Sequence, residues 1–462
     1  MKIKLKNIGT LKQAEIDLSK DLIVLAGPNN TGKTYAAYTV YGVCEKLKNI
    51  TFDMGDNDVS NAWGTLLMEY ILKGQEHESS INITDFLKNY IDSVNNTFDK
   101  NKCSDFLGSI FANDGSSFTN SELAIIFDLD TLTKYLIGIE SVHFLSRYKN
   151  RIELTKHKGE DVFNYRFHLN ESEDKSVSVV KFITSIYESI ILWTTEAYFK
   201  NIYINTAERS AINIFSKELS IKRNAIVDQL LELRESKNGN ANQLLDKLQR
   251  YSLPIRDSLE IAEDLANISR NKSDYTFLAD RMEEVLLDGK INISKYGEVQ
   301  YSPDKSKVKN LSMNLSGSIV KSLSSLVIYF RHLAKKGDFI IIDEPELNLH
   351  PDNQRKITRL IGEFVNHGFK VMISTHSDYI IREINNLVML KSGAEKANDL
   401  IKKYGYEEKQ LIDHQRVGAY LFKNNRNYDI EVTETGFEVD TIDEEINNLN
   451  TASEEIYFTL FD

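Results

Sequence analysis

One glycine-rich stretch decides the fold of this chain, and it reads Gly27-Pro28-Asn29-Asn30-Thr31-Gly32-Lys33-Thr34. An apolar run, residues 22–26, precedes it, and a helical pattern follows from Lys33 to about Leu47. The sequence therefore predicts a buried strand, a tight loop and a helix. In such a loop, glycines let backbone N–H groups converge on phosphate oxygens, and the helix N-terminus adds its positive end.

The stretch follows the pattern G-x-x-x-x-G-K-[ST], which predicts a nucleotide phosphate site. Lys33 would reach the β- and γ-phosphates, and the Thr34 hydroxyl would bind Mg²⁺. The alternative is a chance glycine-rich turn, which the strand before the loop and the helix after it argue against. The residues expected to contact the nucleotide here are Gly27, Asn29, Asn30, Gly32, Lys33 and Thr34.

A second motif reads Asp338-Phe339-Ile340-Ile341-Ile342-Asp343-Glu344-Pro345-Glu346. Four apolar residues that end in Asp-Glu indicate a central strand with two carboxylates at its C-terminal edge, where ligand sites lie in open α/β sheets. Asp343 is suited to hold Mg²⁺, directly or through water. Glu344 is suited to act as the general base that polarises an attacking water. The alternative is an exposed acid pair at a strand end.

Two weaker signals accompany these motifs. His376 follows the buried strand Lys370–Ser374, so it falls on the same edge of the sheet, where an imidazole can hydrogen-bond a γ-phosphate or the water beside it. Ser316-Gly317 precedes a helix at Ile319–Arg331, and a Ser-Gly pair that opens a helix can bind an anion. A structural histidine and an ordinary helix cap are the alternatives.

The order of elements predicts an α/β fold. From residue 315 onward, helix, buried strand, helix, strand and helix alternate, which is typical of a parallel sheet. Strand-like pairs at 151–169 and 291–301 predict antiparallel hairpins, and helical spacing dominates the remaining regions, including Leu123–Leu136. We expect a mostly parallel sheet, an antiparallel β part and large, mainly helical insertions.

Composition restricts the class of protein. Hydrophobic residues make up 41% of the 462 residues, which supports folded cores. The two cysteines, Cys44 and Cys103, exclude a disulfide framework and a CxxC zinc site. Apolar runs are too short to span a membrane, and no signal peptide is evident. We therefore expect a cytoplasmic protein that does not contact a membrane.

Together these elements resemble the ABC-type ATPases of the soluble branch that includes the SMC, RecF and OLD proteins. Residues 27–34 match the Walker A motif, with a sequence pattern similar to that of OLD-like ATPases, and residues 339–344 match Walker B. His376 matches the switch histidine, and residues 346–351 resemble the D-loop. Leu315-Ser316-Gly317 resembles the signature motif, although Ser318 and Ile319 replace the Gly-Gln of transporter ATPases. The resemblance is strong over about residues 1–45 and 310–390.

A further element, Ala207-Glu208-Arg209-Ser210, looks like the Pro-Ala-Glu-Arg element of OLD-like ATPases, with Thr206 where proline is usual. The resemblance places Arg209 near the nucleotide; the alternative is a structural arginine. It also implies ATP and Mg²⁺ as cofactors and a head-to-tail dimer, or a higher homo-oligomer. In that dimer, Ser316-Gly317 of one subunit caps the γ-phosphate bound to Lys33 of the other.

The resemblance also divides the chain into regions. The expected domains are an ABC-type P-loop ATPase head formed by 1–50 and 310–427, an inserted α/β region at 51–200, a strand with a helical arm and hairpin at 201–309, and an acidic segment at 428–462.

The function implied by the resemblance is that of a sensor or scaffold subunit in an anti-phage system of the PARIS or Septu type. No Toprim or HNH pattern is evident, so we expect no intrinsic nuclease and an effector in trans, either a Toprim or HNH nuclease or a toxin. The alternative is a DNA-repair or recombination ATPase of the RecF/SMC kind. A transporter subunit is disfavoured by the incomplete signature and the absence of membrane signals.

Charge patterning bears on partners. The formal charge is −12, but residues 428–462 hold eleven acidic and no basic residues, so residues 1–427 carry −12 + 11 = −1. Net charge therefore does not exclude DNA. A basic cluster could contact DNA or a phage protein, or could simply be a solvated hairpin face. Its members are Arg147, Lys149, Arg151, Lys156 and Lys158.

Overall fold

The computed structural model describes residues 1–48, 77–147, 150–168, 175–216 and 251–461. Helices predicted at Trp63–Leu72 and within residues 226–248 lie outside the described residues.

A nine-stranded mixed sheet forms the centre of the molecule, in the order β5-β1-β2-β16-β15-β3-β14-β13-β9. Five neighbouring strands, β15, β3, β14, β13 and β9, pair in parallel, and antiparallel pairs connect β5, β1 and β2 on the other side. The strands are β1 (Lys2–Ile8), β2 (Leu11–Asp17), β3 (Leu22–Ala26), β5 (Glu122–Ile126), β9 (Ile202–Asn205), β13 (Phe339–Asp343), β14 (Lys370–Thr375), β15 (Val417–Lys423) and β16 (Arg426–Ile430).

Apolar residues on both faces explain why β3, β13 and β14 lie inside the sheet. Their side chains are almost all buried, as expected for parallel strands covered on two sides. Alternate residues of β13 face opposite cores: Phe339 and Ile341 join one cluster, while Ile340 and Ile342 join the other. The period-2 geometry of a strand thus fills two cores from a single apolar run.

Helices cover both faces of the sheet. Helix α1 packs in the core that contains Phe339 and Ile341. Helices α9, α10 and α11 pack in the core that contains Ile340 and Ile342. The α-helices with described bounds are α1 (Lys33–Lys48), α2 (Ile83–Thr97), α3 (Lys100–Phe111), α4 (Leu129–Gly138), α5 (Lys175–Glu196), α6 (Leu253–Glu263), α7 (Leu265–Ile268), α8 (Thr276–Met282), α9 (Ser318–His332), α10 (Pro351–Asn366), α11 (Asp378–Ser392), α12 (Ala394–Tyr404) and α13 (Asp440–Phe461). A helical stretch also covers residues 209–216.

Two smaller antiparallel sheets lie outside the main sheet. The first has the order β4-β8-β7-β6 and the second β10-β11-β12, which confirms both predicted hairpins. Their strands are β4 (His77–Asn82), β6 (Ser141–Arg147), β7 (Asn150–Lys156), β8 (Val162–His168), β10 (Gly289–Ile293), β11 (Val299–Pro303) and β12 (Leu311–Ser312).

The predicted α/β fold, with a mixed sheet that has a parallel part, antiparallel hairpins and helical regions, is confirmed. One local prediction was wrong: Leu123–Leu136 is not a single helix, because β5 occupies its first part and α4 its second. In β5, Leu123 and Ile125 are buried and their neighbours exposed, an alternation typical of an edge strand. The spacing of Leu132 and Leu136 is helical and is what the prediction detected.

The predicted domain division stays a prediction, but the sheet connects several of its parts. Strand β5, from the region 51–200, and strand β9, from the region 201–309, form the two edges of the main sheet. Strand β16 runs across the expected boundary at residue 428. Among the described helices, none combines the length and the apolar character needed to cross a membrane.

The fold brings the first glycine of the phosphate loop against strand β15. Gly27 has φ of 140°, and a Cβ there would lie 2.3 Å from the carbonyl oxygen of Phe422. Gly159, in the turn between β7 and β8, also has positive φ (90°), but a Cβ there would meet no atom within 4 Å. A substitution at Gly159 therefore introduces conformational strain alone, whereas one at Gly27 introduces the strain and a clash with the main chain of β15.

We expect Gly27→Ala to lower the melting temperature clearly more than Gly159→Ala. Both variants carry backbone strain of about 1–3 kcal/mol, and only the first adds a clash with a neighbouring strand. Differential scanning fluorimetry of both variants and the parent measures the difference. Equal shifts in melting temperature would contradict the close approach of β15.

Candidate nucleotide site

The phosphate loop connects β3 to α1, as the sequence predicts. Positive φ angles at Gly27, Asn30 (60°) and Gly32 (98°) turn the chain back on itself between strand and helix. Residues 28–30 are exposed at the tip, while Gly32 and Lys33 are buried at its base. The loop therefore presents its outer main chain to a ligand at the N-terminus of a 16-residue helix.

Lys33 is held inside this loop. Its side chain is 5% exposed, and Nζ donates hydrogen bonds of 2.8 Å to the Gly27 carbonyl and 2.7 Å to the Pro28 carbonyl. Burial lowers the pKa of Lys33, and nearby carboxylates, led by that of Glu344, oppose this shift. An ammonium group has three donors, so a buried cation with a free donor remains at the base of the loop.

Thr34 and Asp343 meet at the predicted metal position. The Thr34 hydroxyl donates a 3.3 Å hydrogen bond to Asp343 Oδ2, and the Ser374 hydroxyl donates to Asp343 Oδ1. Burial raises the pKa of Asp343 to about 6, because a charge is costly there without a counterion. An exposed hydroxyl beside a buried carboxylate is a donor set that fits Mg²⁺.

This donor set is a small one. Within the described residues, no group of three or more His, Cys, Asp and Glu side chains could hold a metal ion. Mg²⁺ in nucleotide sites commonly takes one or two protein ligands and completes its shell with phosphates and water. A single carboxylate with one hydroxyl is therefore consistent with the predicted site.

Glu344 follows β13 in a conformation that is unusual for a residue with a side chain. Its φ is +49°, in the left-handed region, and its N–H lies 3.1 Å from both the carbonyl and the hydroxyl oxygen of Ser374. The side chain is about a quarter exposed. The turn thus directs a carboxylate away from the core, next to the position where Asp343 faces Thr34.

His376 and Glu346 form a second pair at this edge. His376 Nδ1 lies 3.2 Å from Glu346 Oε1 and 3.9 Å from Glu344 Oε1. Glu346 is buried, and its Oε1 also accepts 2.8 Å hydrogen bonds from the Thr375 hydroxyl and the His376 N–H. Burial raises the pKa of Glu346. Glu346 therefore fixes both the main chain and the ring of His376.

Glu346 and Ser374 are the residues of this site to which the sequence reasoning gave no role. Glu346 was assigned only to the segment that resembles the D-loop. A third carboxylate two residues after Glu344 is a signal that could have indicated its place in the site. Ser374 gave no signal, because its position against Asp343 depends on the register of β13 with β14.

Arg209 lies behind the Walker B turn. Its Nη1 donates to the carbonyls of Thr206 (3.0 Å) and Asp343 (2.7 Å), and its Nη2 donates to the Glu344 carbonyl (2.6 Å). The side chain is 2% exposed, and burial lowers its pKa. The residue therefore reaches the site through main-chain carbonyls, which differs from the nucleotide contact expected of it.

Helix α9 begins after Ser316, which is buried, and Gly317, which is exposed. Ser316 Oγ donates 3.0 Å to the Ser312 carbonyl, and Gly317 is the N-cap, with open space around a Cβ. The preceding Leu315 is 75% exposed. Within the described part of the chain, no contact joins these residues to the phosphate loop. The exposed Gly317 thus presents a helix N-terminus outward, while the Ser316 hydroxyl is hydrogen-bonded within the chain.

The basic cluster is only partly described. Lys156 is buried, and its ammonium donates to the carbonyls of His157 and Glu160, so it supports the hairpin rather than facing solvent. Lys158 is exposed. The side chains of Arg147, Lys149 and Arg151 lie outside the described residues. The cluster is therefore smaller as a candidate surface than its sequence suggests.

The chain belongs to the AAA ATPase domain family, whose model matches residues 1–381. A relative from Listeria monocytogenes (serotype 4b, strain F2365), an ABC transporter ATP-binding protein by name, is 30% identical over 103 residues. That match covers 20% of this chain and 38% of the relative's length. The predicted class, an ATPase with ABC-type motifs, is confirmed at the level of the family.

Two solved structures are similar at low sequence identity. An Smc head bound to the C-winged helix domain of ScpA is 13% identical, with a TM-score of 0.37 over 93% of this chain and 96% of that one. An Smc head with an extended coiled coil, bound to the C-terminal domain of ScpA derived from Pyrococcus furiosus, is also 13% identical. Its TM-score is 0.32 over 98% of each chain.

Proposed function

We propose that this protein binds and hydrolyses ATP as an ABC-type ATPase, and that it acts as the sensor or scaffold subunit of a bacterial anti-phage system. In this function it controls a nuclease or toxin that is encoded separately. The observation that carries the ATPase part is the meeting of Lys33, Asp343 and Glu344 at the carboxyl ends of β3 and β13, two parallel strands with β14 between them. The family match supports the same activity.

Binding begins at the phosphate loop. Lys33 already sits under the loop with two donors on carbonyls, so a phosphate oxygen offers it a charged acceptor in place of neutral ones. Thr34 and Asp343 are the residues that would hold Mg²⁺, which when bound supplies positive charge to the β- and γ-phosphates. A cation beside Asp343 also offsets the cost of ionising a buried carboxylate.

Hydrolysis depends on Glu344. Its partly exposed carboxylate would orient a water and accept its proton as the water attacks the γ-phosphorus and ADP leaves. His376, fixed by Glu346 at 3.2 Å, presents its imidazole 3.9 Å from Glu344, where it can hydrogen-bond the γ-phosphate or the same water. Glu344 therefore acts as the base and His376 as a sensor of the phosphate.

Assembly is the step that completes the site. Residues 28–30 of the loop and Thr34 are exposed, so a bound triphosphate would face outward. The outward helix N-terminus at Ser316-Gly317 suits an anion. In the proposed dimer, this pair of one copy covers the γ-phosphate on the other, and hydrolysis loosens the contact. ATP then acts as a switch of assembly.

The proposed defence role rests on two sequence patterns that resemble those of OLD-like ATPases, the phosphate loop and the Ala207-Glu208-Arg209 element. Stand-alone ATPases of this branch often act with a separately encoded effector. The repair alternative differs in its chemistry, because it requires ATP-dependent, salt-sensitive DNA binding by this chain alone.

We expect Lys33→Ala to abolish ATP binding and Glu344→Gln to keep binding while lowering kcat by roughly 100-fold or more. The lysine supplies charge to the ground state, whereas the carboxylate acts only as water attacks. Fluorescent-nucleotide titration and phosphate release measure the two steps. Glu188→Gln, an exposed glutamate on α5, is the matched control. Near-normal turnover by Glu344→Gln would refute the base assignment.

The defence role is tested in cells. Bacteria that carry the gene with its native neighbours are challenged with phage, and the same locus with Lys33→Ala is the control. We expect protection that requires both Lys33 and a neighbouring nuclease or toxin gene. Lack of protection, together with ATP-dependent DNA binding at low salt and sensitivity to DNA damage on deletion, would favour the repair function.

A further inference from the structure

Helix α13 carries an apolar stripe that the described part of the chain leaves uncovered. Leu449 is 68% exposed, Ile456 58% and Leu460 67%. With Ile446 and Ser453 these residues follow a spacing of three and four, which places them along one side of the helix. Such spacing is typical of a helix that packs against another helix.

The helix is attached to the body at its start. Phe437 and Val439, just before it, are buried, and Glu444 lies 3.7 Å from Lys423 of β15. From residue 447 to 461 every side chain is exposed. The stripe is therefore held in a fixed place by one end of the helix while its apolar side chains face solvent.

Charge indicates what can cover this stripe. Helix α13 contains six acidic residues and neither lysine nor arginine, so a second copy would bring together two helices of the same net charge. A cationic helix would instead be attracted by the net negative charge of α13. The acidic residues of the helix are Asp440, Asp443, Glu444, Glu445, Glu454 and Glu455.

We propose that α13 is a docking surface for an amphipathic helix of a partner protein, with an apolar stripe flanked by lysine or arginine. Apolar contact supplies affinity, and the net negative charge of α13 selects the sign of the partner's charge. This surface involves none of the residues of the nucleotide site, so the inference is independent of the ATPase chemistry.

The test uses the full chain and two labelled synthetic peptides of about 21 residues, with leucine at the heptad a and d positions. One peptide carries lysine at the e and g positions, and the other glutamate. We expect the lysine peptide alone to bind, and the double change Leu449→Asn with Ile456→Asn to weaken it at least about tenfold. Leu400→Asn, a half-exposed leucine on α12, is the matched control and should have no effect.

Three outcomes would overturn the proposal: no binding of the lysine peptide, equal binding of both peptides, or equal binding by the double variant. Sedimentation of the chain alone tests the remaining candidate occupant, which is a second copy of the chain. A dimer that is lost with Leu449→Asn and Ile456→Asn would assign the stripe to a second copy and refute the cationic partner.

A different observation concerns the segment from Thr206 to Asn213, and it rests on the proposed ATPase function. This segment contacts each of the three motif regions. Glu208 accepts a 3.0 Å hydrogen bond from Tyr38, five residues after Lys33 on α1. Arg209 binds the carbonyls of Asp343 and Glu344. The segment therefore joins the helix of the phosphate loop to the Walker B turn.

The same segment also reaches helix α9. The side-chain amide of Asn213 donates 2.7 Å to the Lys321 carbonyl and 2.9 Å to Ser324 Oγ, and its oxygen accepts 3.0 Å from Ser325. Both the amide nitrogen and the oxygen of one short side chain thus bind the helix that Ser316-Gly317 opens. A movement of α9 would be transmitted to this segment.

We infer that Arg209 is a positioning residue for Glu344. The left-handed turn at Glu344 is fixed from two sides. On one side the Glu344 N–H donates to Ser374, and on the other Arg209 donates to the carbonyls of Asp343 and Glu344. Without the guanidinium, two main-chain acceptors lose their donors and the turn can relax. The carboxylate would then leave the position from which it activates water.

We expect Arg209→Lys to lower kcat by roughly tenfold or more while ATP affinity stays within about threefold, because misplacing a reacting group by 1 Å costs on the order of 100-fold. The second readout is the double variant with Glu344→Gln, which should be no slower than Glu344→Gln alone. Arg382→Lys, on the surface of α11, is the control. Melting temperatures verify that each variant is folded.

Loss of ATP binding in Arg209→Lys, or an additive loss in the double variant, would show that Arg209 does not act through Glu344. Normal kcat in Arg209→Lys with a strong effect of Glu344→Gln would refute the positioning role and leave the ATPase proposal intact. Normal kcat in Glu344→Gln would refute the base assignment itself. The two proposals therefore fail in different ways.

Discussion

The parallel pairing of β3, β14 and β13 is the constraint on which the site depends. In this register Asp343 lies beside Ser374, and Thr375 lies beside Ala26, the residue that leads into the phosphate loop. Three strands thus end in one row, and the polar residues that follow them converge without any long-range hydrogen bond being required to bring them there. The apolar residues of these strands stabilise the register, since a slip by one position would exchange the two buried faces.

Burial of charge is the second constraint. The buried charged groups of the site are stabilised by opposite charges and hydrogen bonds close to them. Lys33, Asp343, Glu346 and Arg209 are all nearly excluded from solvent, which by itself favours their neutral forms. Each cation has carboxylates near it, and each carboxylate accepts hydrogen bonds from hydroxyl or main-chain donors. The pKa of Asp343 still rises to about 6, so compensation within the chain is incomplete at that position. A divalent cation is the kind of ligand that completes it, which is why burial of this residue supports binding rather than stability.

Sequence reasoning located the elements of this site but not the contacts within it. The loop, the strand ends and His376 were predictable because each follows an apolar run with a local pattern. The role of Arg209 was not, since two of its three partners are carbonyls of residues more than 130 positions away, and only the pairing of β9 with β13 brings them together. Leu123–Leu136 failed for a related reason: its spacing fits a helix, but pairing with β1 makes the first four residues of that region part of strand β5. Tertiary pairing overrides local periodicity at a sheet edge.

Exposure within the site shows where a second surface is needed. The groups that fix the geometry are buried, whereas those that would meet the γ-phosphate side of a nucleotide are open: Thr34 is exposed, and His376 is 41% exposed. Phosphoryl transfer to a single ordered water is favoured when bulk water is excluded, because electrostatic interactions strengthen in a dry site. The described part of the chain supplies the charged residues but not the cover. A cover that carries its own helix N-terminus, as Ser316-Gly317 of another copy would, adds positive potential where the transferred phosphoryl group accumulates negative charge. Closure would then be coupled to chemistry through the segment from Thr206 to Asn213, which contacts α9 at one end and the Glu344 turn at the other.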